Sequence, residues 1–303
     1  MIRALFASWM VLSAAGAARA DILYAVVNTS IVAIDSDSAA LLGVVAPGAG
    51  FSSDGAYDPV SRRLYFLAGG TLPPSLVTLD AASGTVSQVA LSGAAGGLAV
   101  NAATHELWGT DPAGDLVVVD PVTGQVQIRE PAAGASGTVT FDPGARRLYA
   151  LSTTPQTLTI VDLQTGVVTH RSLSGSVFGL AFDPTHGVLF GINNSQLLTI
   201  DPAGGTLTAV FTTPVANVIG SARPLVSASG RVSVWVKAIT SPPLNAPTLV
   251  TFFPGGGSTT IIPFTQAIPL AFGDLAQSTP LFSPVVAAAA ILALVALAIF
   301  RLR

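Results

Sequence analysis

Few side chains of this sequence could catalyse a reaction or bind a metal ion. The first group among them consists of side chains with carboxylate or amide oxygens. Six of them fall outside the positions at which aspartate recurs along the chain: Asn28, Asp54, Asp111, Asp115, Glu130 and Asn193. Carboxylate and amide oxygens are the ligands that calcium and magnesium prefer. No loop of the form Asp-x-Asp-x-Asp is present, so a divalent site would need Asp54, Asp115 and Asn193 to converge from separate loops. The preferred interpretation of all six is a polar binding surface without a metal.

The three histidines and the absence of cysteine limit the remaining chemistry. His105 and His186 lie in predicted turns, and His170 lies in a predicted strand near the rim of the fold. None of them has another histidine, or a carboxylate outside the turn pattern, at metal-ligand spacing. The chain has no cysteine, which excludes disulfides and thiolate metal sites. We therefore predict no catalytic residue and no cofactor, with the divalent cation as the alternative.

The elements that must position these side chains recur about every 41 to 45 residues. An apolar pair, usually ending in an aromatic residue, marks each return: Leu23–Tyr24, Leu64–Tyr65, Leu107–Trp108, Leu148–Tyr149, Leu189–Phe190 and Val234–Trp235. A second marker, an aliphatic residue followed by aspartate, keeps the same period: Ile34–Asp35, Leu79–Asp80, Val119–Asp120, Val161–Asp162 and Ile200–Asp201. Repetition at this period is typical of a β-propeller, in which each repeat forms one small sheet. The recurring aromatic residues then pack between neighbouring sheets.

The clearest repeat predicts four strands, at 179–182, 188–192, 197–200 and 206–210. Aspartate, proline and glycine separate the strands, as in Asp183-Pro184 and Asp201-Pro202, and they favour tight turns. The recurring aspartates are therefore assigned to turns. The first repeat lacks its opening strand, and a matching segment appears at 268–274. The prediction is a six-bladed, all-β propeller over 21–276, with four-stranded blades and with residues 268–274 completing the first blade.

This repeat pattern resembles the broad superfamily of NHL, YVTN and related propellers. The matching residues are Gly179-Leu180-Ala181-Phe182-Asp183-Pro184 and Leu148-Tyr149-Ala150. The resemblance implies the fold and a tendency to bind ligands or proteins, and it implies no reaction.

Both termini carry apolar segments that are predicted to lie outside the propeller. Residues 1–20 combine Arg3, an apolar run and the small-residue end Ala18-Arg19-Ala20, the pattern of a cleaved signal peptide. Residues 277–284 form a linker, residues 285–300 carry no polar side chain, and residues 301–303 form a basic end. The apolar run predicts a transmembrane helix, and the basic end predicts that the propeller lies on the outer side.

The C-terminal segment resembles the sorting signals of Gram-negative bacteria known as PEP-CTERM and IPTL-CTERM. These signals combine a proline-containing motif, one apolar helix and a basic end. The matching residues are Thr279, Pro280, Leu281, Ser283, Pro284, Arg301 and Arg303. Thr-Pro-Leu stands where Ile-Pro-Thr-Leu would be expected, so either a cleaved tail or a permanent anchor remains open. The resemblance implies a membrane-embedded processing enzyme as a partner.

The charge of the predicted mature region excludes a nucleic-acid surface. Once the four terminal arginines are set aside, 9 basic residues face 16 acidic ones, and Lys237 is the only lysine.

Taken together, the repeats and the terminal segments predict an exported, monomeric, membrane-tethered propeller on the periplasmic or cell-surface side of the bacterial inner membrane, binding an envelope protein or polysaccharide. Two alternatives stay open: a lactonase- or lyase-like propeller hydrolase with a divalent metal in its channel, and a structural protein of the surface matrix.

Overall fold

The computed structural model describes residues 22–27, 30–35, 41–46, 51–68, 74–131, 134–135, 137–153, 156–213, 217–219, 224–226, 232–238, 247–253, 258–263 and 272–276. Within these ranges the chain forms strands and turns and contains no helix. It follows that no helix in the described part of the chain could cross a bilayer. The predicted signal peptide, linker, transmembrane helix and basic end lie outside the described residues.

The described residues form 25 strands. In chain order they are β1 Ile22–Val27, β2 Ser30–Asp35, β3 Leu41–Ala46, β4 Phe51–Asp58, β5 Arg63–Ala68, β6 Ser75–Asp80, β7 Val86–Ala90, β8 Gly96–Asn101, β9 Glu106–Thr110, β10 Leu116–Val119, β11 Val126–Glu130, β12 Val139–Asp142, β13 Arg147–Thr153, β14 Gln156–Asp162, β15 Val168–Ser172, β16 Gly179–Asp183, β17 Val188–Ile192, β18 Gln196–Ile200, β19 Leu207–Thr212, β20 Asn217–Ile219, β21 Leu225–Val226, β22 Val232–Ala238, β23 Pro247–Phe253, β24 Ser258–Pro263 and β25 Phe272–Ala276.

These strands form antiparallel sheets in a propeller arrangement. Where the sequence predicts six blades of four strands, the described residues show four regular blades, supplied by the middle of the chain, because the first sheet takes its fourth strand from the C-terminal side and the last sheet carries a fifth strand, β21. Each blade is a meander of four consecutive strands: blade A (β4–β7), blade B (β8–β11), blade C (β12–β15) and blade D (β16–β19). The predicted strands of blade D agree with the structure to within two residues at each end. Two further sheets flank these blades, a first sheet in the order β25-β1-β2-β3 and a last sheet built around β20, β22, β23 and β24.

The first sheet contains strands from both ends of the described chain. Strand β25 pairs antiparallel with β1, with Tyr24 opposite Ala276 and Val27 opposite Phe272. This confirms the prediction that a C-terminal segment completes the first sheet, but the strand ends at Ala276, two residues beyond the predicted end at 274, and the predicted start at 268 lies outside the described residues. The strand continues to Ala276 because Leu275, and no proline, follows Asp274, so the chain does not turn where the other repeats do.

The inner strands of successive blades lie side by side, and blades C and D are also joined there by hydroxyl groups. The Oγ1 atom of Thr138, which is buried, accepts a hydrogen bond of 2.9 Å from the backbone N–H of Leu180. Thr140 Oγ1 accepts one of 3.1 Å from Phe182 N–H. These bonds satisfy backbone donors that a blade cannot pair within its own sheet, and they fix the register between the two blades.

Aromatic side chains at the repeat position pack across the joints between sheets, as the sequence predicts. Trp108 of blade B meets Phe141 of blade C edge to face, with 6.2 Å between the ring centroids. Tyr149 of blade C stacks on Phe182 of blade D at 6.0 Å. Phe190 of blade D contacts Phe252 of the last sheet at 6.4 Å. Each joint therefore has its own apolar core, which stabilises the array without disulfides.

Candidate functional site

The recurring aspartates hold the turns between strands. The Oδ1 atom of Asp162 accepts hydrogen bonds from the N–H groups of Gln164 and Thr165, both at 2.9 Å. Asp80, Asp120 and Asp201 accept from the second and third residues after them in the same way. The bond from Thr165 N–H is the main reason that the pKa of Asp162 lies below its usual range. The assignment of these residues to turn structure is confirmed.

The turns between the first and second strands of the blades share an unusual backbone position. Their fifth residue has a left-handed conformation, with φ of 56° at Arg62, 60° at His105, 53° at Arg146 and 68° at Gly187. Few residues other than glycine adopt this conformation without strain. In blade B the side chain at this position, His105, leaves its own turn and reaches blade A. Its Nδ1 lies 2.9 Å from Oδ2 of Asp58, which is buried, while the histidine is half exposed.

The other two histidines also have polar partners. His186 Nδ1 lies 2.6 Å from Oδ2 of the buried Asp183, three residues earlier in the same turn. His170 Nδ1 lies 3.1 Å from the hydroxyl of Thr159, across strands β14 and β15. The sequence predicted the turn and strand positions of the histidines but missed the contact between His105 and Asp58, because these residues are 47 positions apart.

Asp58 is held in its ionised form by its hydrogen bonds. Burial alone would raise its pKa, but the hydroxyl of Ser61, the ring of His105 and the backbone N–H groups of Val60 and Ser61 outweigh burial and leave the pKa below its usual range. A lowered pKa means that the ionised carboxylate stabilises the fold above the pKa of the unfolded chain. This contribution is lost as the pH falls through the lower, folded-state pKa.

We expect Asp58→Asn to expose this dependence. Asparagine keeps the turn, since Asn101 Oδ1 accepts from Ala103 N–H at the same position of blade B, but it removes the charge. The variant should lose about 1–2 kcal/mol of unfolding free energy at pH 7, and the difference should shrink as the pH falls below about 4. Urea unfolding at pH 7 and at pH 3 measures both values, with Asp80→Asn in an exposed turn as the control. A difference that is the same at the two pH values would contradict the assignment.

Two candidate residues of the sequence analysis organise turns between second and third strands. Asp111 Oδ1 accepts a hydrogen bond of 2.9 Å from Asp115 N–H, and Asp111 N–H donates to Asp115 O at 3.0 Å. Asn193 Oδ1 accepts from the N–H groups of Ser195 and Gln196 at 3.0 and 2.8 Å. Antiparallel meander topology places both turns at the same end of the blades, which we call the loop face. Asp111 and Asn193 hold the turns of this face in fixed shapes.

The remaining candidates are distributed differently. Asn28 lies outside the described residues, and Asp54 lies in β4 at a position where only the backbone is described. Glu130 ends β11 opposite Leu116 and lines a cavity between blades B and C. Within the described ranges no three histidine, aspartate or glutamate side chains stand close enough to hold a metal ion. Asp111 and Asp115 lie in the same turn of blade B, whereas Asn193 lies in a turn of blade D.

Two cavities open at the joints between regular blades. One, of about 440 Å³, lies between blades A and B and is lined mainly by hydroxyl groups, together with Arg63 and Asp80. The other, of about 360 Å³, lies between blades B and C, and we call it the B/C groove. Charged side chains of both signs line the B/C groove, and its apolar wall is formed by Trp108 and Phe141. No sequence signal pointed to either cavity.

The joint between blades A and B and the joint between blades C and D contain equivalent hydrogen bonds that link one blade to the next. After β7, Ser92 N–H donates to Gly124 O at 2.9 Å, and Ser92 Oγ accepts from Val126 N–H at 2.9 Å. After β15, Ser174 does the same with Gly205 O and Leu207 N–H, both at 3.1 Å. The two glycines have φ of 72° and 73°, and a Cβ atom on them would lie 2.0 and 2.2 Å from a carbonyl oxygen of the preceding blade. We call this contact the serine clamp.

Joint B/C is built differently. The residue that corresponds to Gly124 and Gly205 is Gly166, whose φ is also 72°, but a Cβ atom there would meet nothing within 4 Å. The serines of the other joints stand eight residues after a turn glycine, and the matching position after Gly124 is Ala132. A bulge in β11 shifts the register by one residue, and the next residue, Ala133, also lacks a hydroxyl. Gly166 lines the B/C groove.

Comparisons with solved structures identify the fold, whereas comparisons by sequence identify no relative. No protein-family model matches the chain, and no curated protein does. Among solved structures, the nidogen/laminin complex contains a similar chain, with a TM-score of 0.61 and 12% identity over 84% of this chain and 97% of that chain. The propeller domain of Cps50 (Swd1) from Myceliophteria thermophila has a TM-score of 0.55 and 12% identity, covering 86% and 90%.

A gluconolactonase, XC5397 from Xanthomonas campestris, is also similar, with a TM-score of 0.53 and 16% identity over 71% of this chain and 83% of that chain. The three structures include a protein complex and an enzyme, and all three chains are less than 17% identical to this chain. Similarity at this level reflects the fold alone. The described part of the chain is an all-β propeller.

Proposed function

We propose that this protein is a propeller that binds a macromolecular partner on its loop face. The observation that carries the proposal is the rigidity of that face, since Asp111 and Asn193 spend their side-chain hydrogen bonds on their own turns. Turns fixed in this way lose little conformational entropy when a partner docks, and this favours binding. His105 and His186 sit in turns at the opposite end of the blades and are paired with Asp58 and Asp183.

The proposal also covers the number of blades, the closure of the ring and the cellular location of the protein. The six sheets would form one closed ring of six blades, with β25 joining the two ends of the chain. Residues 1–20 would direct export, and the segment from Thr279 to Arg303 would tether the propeller to the inner membrane or serve as a sorting signal. The partner would then be a protein or polysaccharide of the cell envelope. The apolar run at 285–300 and the −7 charge of the region between the terminal segments support this placement.

A blocking substitution on the loop face tests the proposal. Ala113 lies exposed at the tip of the turn that Asp111 holds, and Ala113→Arg adds a long charged side chain there. Ala82→Arg makes the same change in an exposed turn at the opposite end of blade A. We expect the full-length protein, cross-linked in an envelope extract, to retain one partner in wild type and in Ala82→Arg and to lose it in Ala113→Arg. Equal retention by the two variants would contradict the proposal.

The alternative is a lactonase-like hydrolase, and similarity to a gluconolactonase keeps it open. It requires a divalent cation near Asp54, Asp115 and Asn193. Elemental analysis of the purified protein, with lactone hydrolysis measured for wild type and Asp115→Ala, decides between the two. Bound metal together with activity that Asp115→Ala abolishes would replace the binding proposal.

A further inference from the structure

We infer that the B/C groove is a binding site for a neutral sugar, on a surface separate from the loop face. The groove lies between blades B and C, beside Gly166, where an added Cβ atom would meet nothing within 4 Å. Its volume of about 360 Å³ falls in the range of roughly 300–1,000 Å³ that is typical of small-molecule pockets. The space at this joint is therefore large enough for a ligand of one or two sugar rings.

The charges in the groove favour a ligand that is polar but uncharged. Four carboxylates line it, from Glu106, Glu130, Asp142 and Asp162, together with two guanidinium groups, from Arg129 and Arg146. The carboxylates outnumber the guanidinium groups by two, so an anionic ligand is disfavoured, while a cationic ligand would have to lie beside the two arginines as well. A neutral polyol meets no repulsion, and its hydroxyl groups can donate to the carboxylates and accept from the guanidinium groups.

Several of these side chains are already fixed by hydrogen bonds that leave an oxygen for the ligand. Glu106 Oε2 accepts from the Thr104 hydroxyl at 3.0 Å and from Trp108 Nε1 at 3.4 Å. Asp142 Oδ1 accepts from Ala145 N–H at 2.9 Å. Within the described part of the chain, the second carboxylate oxygen of both residues makes no hydrogen bond. A ligand would therefore meet acceptors whose positions are set before it binds.

The wall of the groove supplies the apolar surface that the ring of a sugar needs. Trp108 and Phe141 contact each other edge to face and are almost fully buried, so only a small part of each ring borders the cavity. The C–H groups of a sugar can pack against this wall while its hydroxyl groups turn towards the charged rim. The groove differs in this respect from the A/B cavity, whose lining contains no aromatic residue.

Arg146 and Arg62 provide a matched pair of variants. Both occupy the fifth position of a turn with positive φ, at 53° and 56°, and both side chains are exposed, but only Arg146 lines the groove. Glycine occupies this position in blade D, as Gly187, so Arg146→Gly and Arg62→Gly should fold without strain. Glu106→Gln adds a second test, because the amide oxygen can still accept from Thr104 and Trp108.

The experiment titrates the full-length protein with cellobiose, maltose, lactose and chitobiose by calorimetry. We expect at least one of them to bind wild type and Arg62→Gly with the same affinity. Arg146→Gly and Glu106→Gln should bind it at least tenfold more weakly. Glucuronate and glucosamine serve as charged probes and should bind more weakly than the neutral sugar.

Three results would overturn the inference. No disaccharide binds wild type, or Arg62→Gly weakens binding as much as Arg146→Gly does, or a charged probe binds more tightly than every neutral one. The inference stands apart from the proposed function, because its variants leave the loop face unchanged. Loss of the partner in Ala113→Arg with unchanged sugar binding would separate the two surfaces.

Discussion

Replacing Gly124 by alanine should destabilise the protein by about 3–5 kcal/mol, whereas the same change at Gly166 should cost only about 1 kcal/mol. Both residues occupy the same turn position with φ of 72°, so the backbone strain of an alanine is equal at the two sites. The added Cβ would lie 2.0 Å from Ala90 O at Gly124 and would meet nothing within 4 Å at Gly166. Because Ala90 O belongs to backbone, blades A and B must separate to relieve the overlap.

Urea unfolding of the two variants measures the difference directly. Gly205→Ala should behave like Gly124→Ala, since its Cβ would lie 2.2 Å from Ser172 O at joint C/D. Equal losses at Gly124 and Gly166 would show that strain at positive φ accounts for the whole effect. The serine clamp would then have no role in holding the blades at their observed distance.

Phe190→Ala should lower the free energy of unfolding by about 3–5 kcal/mol, as is typical of a large buried aromatic residue. Phe190 is fully buried at the joint between blade D and the last sheet, in one core with Val226, Val232 and Val234. The cavity left by the alanine would remove contacts from both sides of the joint. Hydrogen exchange in β22 should accelerate more than exchange in β9, because β22 belongs to the last sheet and β9 does not.

Phe178→Ala is the control for this prediction. Phe178 precedes β16 of the same blade and is 45% exposed, so its loss should change stability by less than about 0.5 kcal/mol. Its backbone N–H bonds Ile192 O at 2.8 Å, a contact that the substitution keeps. If β22 kept its protection in Phe190→Ala, the last sheet would be stabilised by contacts other than those with blade D.

The local rules of the sequence were sufficient to predict the repeating elements. The Asp-Pro and Asp-x-x-x-Gly turns fix the strand ends within a few residues of their neighbours, so the strands of blade D and the role of Asp162 could be predicted. The aromatic period places Trp108, Tyr149 and Phe190 at joints because one residue per repeat must fill each joint. The C-terminal strand was recognised from its similarity to the repeat, and its end at Ala276 was missed.

The features that could not be predicted depend on which repeats become neighbours and how closely they approach. Predicting the contact between His105 and Asp58 requires the distance between two blades, and the sequence of a single repeat carries no information on that distance. The same is true of the B/C groove. Asp111 and Asn193 were candidates because they break the repeat pattern, and the structure shows that each holds a turn of its own.

The pairing of β1 with β25 has a consequence for how the protein is made. Tyr24 and Ala276 are roughly 250 positions apart, and closing a loop of that length costs about 1.5 kcal/mol more entropy than closing one repeat. In the remaining blades, each strand pairs with strands that leave the ribosome within seconds of it. The first sheet must instead wait for almost the entire polypeptide, with one bare edge of β1 available to other chains. Incomplete products of synthesis are therefore the species that we expect to associate with one another.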